Sequence, residues 1–430
     1  MRGRPPDDDA TIRVSPREAA ARIAAPPSGG GGRRWLLAGV AGFTVLTALG
    51  AGAVFLLDEG PPPPQRLGPR MLVPPLLRAR VGASDVLFML ARRAEQDATD
   101  PPDAPAPRDR IELVALDAGT LAPRFEVHLA SVPRGALGDA ALIAEQGATV
   151  WIWLGGLGAV SAVDGRVLAD QDGLAERNPQ VVFANLRARG ALRTADALVI
   201  EGPTLGGPWR LDPRDFAASL ANQPPPRPLP PLHAPAQAGQ GGPTAFRLNE
   251  ARIGPAWFGL PAETEKLAGP MAPRGRGFIA PAVSPPGAPQ ALWRGAVRMA
   301  SAAPPNWPAN MPNRFGEAER LVDLAAVPGA TGLHLAGFLT AGTPDPLRPA
   351  PDALLLLHGA PGQPLGLMRI GADGRIAWRA ALPVGAVRSV LPGAAHLLLA
   401  DWRGTVATAG ARIVSVALDD GAVAELALSA

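Results

Sequence analysis

Two hydrophobic patterns divide this chain. From Trp35 to Leu57 it reads WLLAGVAGFTVLTALGAGAVFLL, 23 residues with neither charge nor proline. At 1.5 Å rise per residue a helix of that length spans the ~30 Å hydrocarbon core of a bilayer. Beyond it the apolar positions alternate. Ile111, Leu113 and Ala115 recur at every second position, Asp117 to Gly119 make a turn, and Phe125 to Leu129 continue as a strand, which is the pattern of a β-hairpin. The phrase returns as LGAVSAVDGRVL around Asp164–Gly165, LGLMRIGADGRIAW around Asp373–Gly374 and ARIVSVALDDGAV around Asp420–Gly421. Asp-Gly suits such turns because glycine takes positive φ without strain and aspartate accepts from nearby backbone N–H groups.

An apolar strand precedes each of these three hairpins: Thr149 to Leu154, Ala353 to Leu357 and His396 to Ala400. Asp117 to Asp164 and Asp373 to Asp420 are each 47 residues apart, close to the period of a propeller blade. The expected fold is all-β: a β-propeller of seven or eight blades preceded by one transmembrane helix. The expected organisation is a disordered cytoplasmic tail over 1–34, the membrane helix over 35–57, a proline-rich spacer over 58–75 and the propeller over 76–430. A proline-rich insertion, with PPPRPLPP at Pro224 to Pro231, falls around 217–245.

Charge orients this arrangement. Residues 1–34 carry seven arginines and four acids, whereas Asp58 and Glu59 follow the apolar stretch. The positive-inside rule puts the arginine side in the cytoplasm. The expected location is the bacterial inner membrane, single-pass, with the C-terminal domain in the periplasm. The expected partners are the membrane and an envelope protein. The tail alone accounts for the whole-chain net charge of +3, leaving no basic field for nucleic acid. The absence of cysteine excludes disulfides, thiolate metal sites and cysteine nucleophiles.

Candidate chemistry is sparse. His128, His233, His334, His358 and His396 show no metal-site spacing, and neither H-E-x-x-H nor G-x-S-x-G occurs. The glycines of LGGLGAV at Leu154 to Val160 lead into a strand and the Asp164–Gly165 turn, so they read as a hairpin rather than a dinucleotide loop. No catalytic, cofactor or metal residue is assigned, and no cofactor is expected. Trp151 and Trp153 share one side of a strand and read as wedges between blades. Trp257 and Phe258, in ARIGPAWFGL beside a loop-rich region, are the candidate exposed interaction patch.

The phrase LVALDAGT at Leu113 to Thr120, with its echo VALDDG at Val416 to Gly421, resembles the pyrroloquinoline-quinone-type repeats of quinoprotein-like propellers. Its turn is shorter, and the adjacent-cysteine feature is absent. Residues 140–216 and 251–425 resemble an uncharacterised group of bacterial envelope proteins typified by a Pseudomonas hypothetical protein. The phrases that carry this likeness are VDGRVLADQDGLAERNPQV, WRLDPRDF and ARIGPAWFGL. The resemblance implies a propeller-like outer domain and brings no catalytic residue. The expected function is a membrane-tethered periplasmic binding or scaffolding module. The alternative is a periplasmic enzyme with its site at the propeller's central channel.

Overall fold

The computed structural model describes residues 65–428 apart from 102–104, 136–139, 188–189, 194–196, 203–204, 206, 222–245, 261–287, 302–310, 312–316, 342–344, 361–362 and 403–409. They belong to the compact unit Pro64–Ala430. They form six antiparallel sheets of four or five strands. The first comprises Gln65–Leu67, Met71–Val81, Ser84–Asp97, Arg108–Asp117 and Pro123–Pro133; the second comprises Ala141–Gln146, Thr149–Trp153, Leu157–Ser161 and Val167–Ala169. The third spans Ala191–Arg193 to Ala218–Leu220. The fourth joins Glu250–Ile253, Ala256–Gly259, Trp293–Ser301 and Glu317–Ala326. The fifth takes the two-residue strand Arg247–Leu248 and then Gly337–Leu339, Ala353–His358, Leu365–Gly371 and Ile376–Leu382. The sixth runs from Ser389–Leu391 through His396–Asp401 and Arg412–Ala417 to Val423–Ala427.

Inner strands are apolar on both faces because each sheet packs between neighbours, and a doubly covered strand reads as a continuous apolar run. In Ala353–His358, Leu354 and Leu356 pack towards the fourth sheet while Leu355 and Leu357 pack towards the sixth. In His396–Asp401, Leu397 and Leu399 face the fifth sheet, and Leu398 and Ala400 face the first. Trp151 and Trp153 pack with the third sheet while Val150 and Ile152 pack with the first. Outer strands alternate instead, as in Val423–Ala427, where exposed and half-buried positions take turns.

The turn glycines show why Asp-Gly recurs. Gly165, Gly374 and Gly421 have φ of +73°, +82° and +79°. Asp164, Asp373 and Asp420 each accept from the backbone N–H two residues on. Each glycine also lies against the preceding sheet. A Cβ on Gly165 would stand 2.7 Å from Phe125, one on Gly374 2.9 Å from Arg294, and one on Gly421 2.7 Å from Trp378. The position thus needs both left-handed backbone and clearance for a neighbour.

The first and last sheets are joined by Arg78, which is almost fully buried. Its Nη1 donates to the carbonyls of Leu391 (2.9 Å) and His396 (2.7 Å), and its Nε donates to Asp85 (2.8 Å). Ser415 Oγ donates to the Ala118 carbonyl at 2.7 Å.

Several expectations are corrected. A closed propeller of seven or eight blades is replaced by six separate open sheets. Hydrophobic clusters link them in the order third, second, first, sixth, fifth, fourth. Among the described residues no such cluster joins the third to the fourth. The 47-residue intervals reflect sheets of similar size, not a larger number of them. The stretch expected as a spacer over 58–75 already contains paired strand at Gln65–Leu67 and from Met71 onwards. Among the described residues no helix is long and apolar enough to cross a membrane. The stretch 35–57, the tail 1–34 and the proline run 224–231 lie outside the described residues. The transmembrane helix is therefore no element of the fold described. The inner-membrane, periplasmic placement and the membrane and envelope partners are withdrawn with it.

Candidate functional site

The expected interaction patch is not at the surface. Trp257 and Phe258 lie in Ala256–Gly259, all four residues of which are buried, and are 1% and 0% exposed. Trp257 Nε1 donates to Glu250 at 3.3 Å, and Phe258 meets Phe338 edge-on in the core between the fourth and fifth sheets. The sequence places these rings beside a loop-rich region, but the register Arg252↔Trp257 and Ala251↔Phe258 makes them part of a central hairpin.

The histidines do not gather at one place, although His334 and His358 are neighbours, the His334 carbonyl accepting from Gly359 N at 2.8 Å. His128 is on the outer strand of the first sheet, His358 ends a strand of the fifth, and His396 opens a strand of the sixth; His233 lies outside the described residues. Among the described residues no three His, Cys, Asp or Glu side chains are placed to hold a metal ion.

The long strands of the first sheet carry an ionic network at one end. Glu112 accepts from Arg110 Nε (2.8 Å) and Arg70 Nη2 (3.3 Å), and Arg70 also donates to both oxygens of Glu126 (2.7 and 3.0 Å). Burial works against the charge of Arg70, but Glu126 and Glu112 hold its pKa above the ordinary arginine value. On the opposite face Arg92 pairs with Asp109 at 2.7 Å. His128 Nε2 and Ser131 Oγ are 2.9 Å apart. Burial, then Arg110, pushes the imidazole below its usual pKa. That pair is a local contact on an exposed edge strand.

A concave surface forms where the second sheet meets the outer strand of the first. After Trp153 the chain turns through Gly155, at φ +75°, and re-enters the sheet at Leu157. The turn, the strand Val167–Ala169 and the start of the helix Gln171–Arg177 enclose a cleft of about 350 Å³. Leu129, Ile152, Leu154 and Val167 form its apolar floor; Asp170, Gln171 and Asp172 stand at its rim. Asp170 caps the helix by accepting from Gly173 N at 2.8 Å. Gln171 Oε1 accepts from Leu157 N at 3.2 Å, tying the helix to the glycine turn. A Cβ on Gly156 would come within 2.6 Å of that oxygen. The glycines of LGGLGAV thus give the cleft its wall, and their sequence signal, read as a hairpin, carries no hint of it.

The volume falls in the range of small-molecule sites, which are mostly apolar with a few polar groups. No ion pair joins Asp170 or Asp172 to a described cation, so the rim is anionic. The described lining holds no histidine, serine or lysine to act as base or nucleophile.

No family model matches the chain, and no curated protein matches it. The resemblance to quinoprotein-like repeats and to the Pseudomonas-typified envelope group is therefore corrected to likeness of short phrases: Asp-Gly hairpins between apolar strands, a pattern that any antiparallel meander can produce.

Proposed function

We propose that this protein binds a small organic amine in the cleft between its first and second sheets. The membrane-tethered scaffold and the channel-sited enzyme are not carried forward, because neither a described membrane helix nor a closed channel is there to support them. The observation that carries the new reading is the pairing of an apolar floor with rim carboxylates, Asp170 and Asp172, that form no ion pair with a described cation. A ligand with an apolar body buries it against Leu129, Ile152 and Leu154, and its ammonium meets Asp172 and the free oxygen of Asp170. A charge-assisted hydrogen bond of this kind is about twice as strong as a neutral one.

Calorimetric titration of the full chain with phenethylamine and with the neutral 2-phenylethanol tests it. The amine is expected to bind about tenfold more tightly, equivalent to about 1.4 kcal/mol. Asp172→Asn should remove most of that preference. Equal affinity for the two compounds, or no heat with either, would overturn the reading.

A further inference from the structure

The cleft between the first and second sheets holds one more polar group, the carboxamide of Gln171, whose two ends do different work. Its Oε1 accepts from Leu157 N at 3.2 Å. A backbone N–H can meet only an acceptor, so this bond fixes which end of the carboxamide is oxygen. The side chain lies flat along the glycine turn: a Cβ on Gly156 would stand 2.6 Å from its Oε1, 3.0 Å from its Cδ and 3.3 Å from its Cβ. Its Nε2 is left as a donor with no partner among the described residues, on a half-buried side chain that lines the cleft.

Three kinds of group therefore meet in one cleft. Leu129, Ile152, Leu154 and Val167 give the apolar floor, Asp170 and Asp172 the negative charge, and Gln171, between them in sequence, a neutral donor. A bare amine uses the first two and leaves the donor idle. The matching ligand carries an apolar group, an ammonium and, close to the ammonium, an acceptor. That acceptor has to be neutral, because the described lining holds no cation and the two carboxylates repel a third. At about 350 Å³ the cleft lies near the lower bound for ligand pockets. It takes one large side chain and leaves the remainder of a longer ligand in solvent.

We propose that the cleft captures the N-terminal residue of a peptide that begins with a large apolar side chain, an inference that rests on the amine reading. The α-ammonium donates to Asp172 and to the free oxygen of Asp170. The side chain lies on Leu129, Ile152 and Leu154. The first peptide carbonyl accepts from Gln171 Nε2. An internal residue has no ammonium to offer, and a free amino acid brings a carboxylate where a neutral amide is needed. Capture of a chain's terminal amine is an established mode of peptide recognition.

Calorimetric titration of the full chain with phenylalaninamide, phenethylamine, phenylalanine and N-acetylphenylalaninamide tests it. Phenylalaninamide should bind about fivefold more tightly than phenethylamine, the gain from one added neutral hydrogen bond. It should bind about tenfold more tightly than phenylalanine. The acetylated compound, which has no ammonium, should give no heat. Gln171→Glu keeps an oxygen for Leu157 N but lacks the Nε2 donor, so the preference for phenylalaninamide over phenethylamine should disappear. A purely structural Gln171 would weaken both ligands alike, and an unchanged ratio would overturn the proposal. So would equal binding of phenylalaninamide and phenylalanine by wild type. No heat with any amine sinks the amine reading and this one together, whereas phenethylamine binding as tightly as phenylalaninamide sinks only the peptide inference. Should Gln171→Glu fail to fold, the wild-type ligand series decides alone.

Discussion

The two ends of charged sheet in this protein handle burial in opposite ways. In the first sheet every large cation of the network is matched: Arg70 with Glu112 and Glu126, Arg110 with Glu112, and Arg92 with Asp109. In the fifth, Arg247 is half-buried, donates to the Leu335 carbonyl and meets no described carboxylate. A matched network accounts for itself, since each partner offsets the desolvation of the other. Arg247 relies instead on the Leu335 carbonyl and on its partial exposure to solvent. Carboxylate pairing and a single backbone carbonyl are thus two ways of holding a half-buried guanidinium.

The sharpest way to break this contrast is to unpair the first sheet. Asp109, whose side chain is 4% exposed, faces Arg92 and accepts from Gly135 N at 3.3 Å. Asp109→Ala is expected to cost about 2 kcal/mol in denaturant unfolding, because a half-buried arginine is left without its partner. A loss below about 1 kcal/mol would show that solvent already reaches Arg92.

Acid gives the next effect. Burial, then Arg379 and Arg247, depresses the folded-state pKa of His358, so the unfolded chain binds the proton more readily. The stability this group contributes is complete above its unfolded value near 6.5 and is lost as pH falls through the folded value. Unfolding of wild type and His358→Asn, compared at pH 7.5 and at about pH 5, should show the steeper loss in wild type. His128 acts with the same sign in both proteins, so it cancels in the difference. Parallel losses would place His358 in a more solvated setting.

Smaller still is the expected response to Arg247→Met. Removing a half-buried cation held by one carbonyl should change stability by less than about 1 kcal/mol in either direction. A loss above about 2 kcal/mol would make Arg247 structural, held by its bond to Leu335. At the bottom of the scale is the Arg298–Asp323 pair, at 3.0 Å with both side chains more than two-thirds exposed. Arg298→Ala should cost less than about 0.5 kcal/mol, and unfolding midpoints can bound it.

The hairpins are legible in the sequence because their signal is local. An Asp-Gly pair between alternating strands needs only positive φ and a short-range acceptor, and both are present at Asp164–Gly165, Asp373–Gly374 and Asp420–Gly421. The strands Thr149–Trp153, Ala353–His358 and His396–Asp401 match expectation to within a residue or so for the same reason. What escaped was non-local. Nothing in Arg247–Leu248 marks a strand, because two residues have no period and the partner is Gly337–Leu339. Trp257 and Phe258 read as surface because their neighbours in sequence are loop-like, while their neighbours in space are Phe338 and Glu250. The cleft wall at Gly155 to Gly158 is equally silent: glycines that make a turn and glycines that make a cavity look the same in one dimension. The first sheet's ionic end depends on strands of up to 14 residues, whereas only Asp85 to Ala91 carries the apolar signature.

The bond network of Arg78 has a consequence for how the chain becomes a protein. Its acceptors Leu391 and His396 lie more than three hundred residues downstream, and the Leu72 to Leu121 cluster is completed by residues as late as Leu428. The apolar flank of the first sheet has no cover until nearly the whole polypeptide has left the ribosome. Such long-range closure slows folding and prolongs exposure of sticky surface. The earliest-made sheet is therefore the last to be finished, and a chain cut short before Ser389 would emerge with that flank bare.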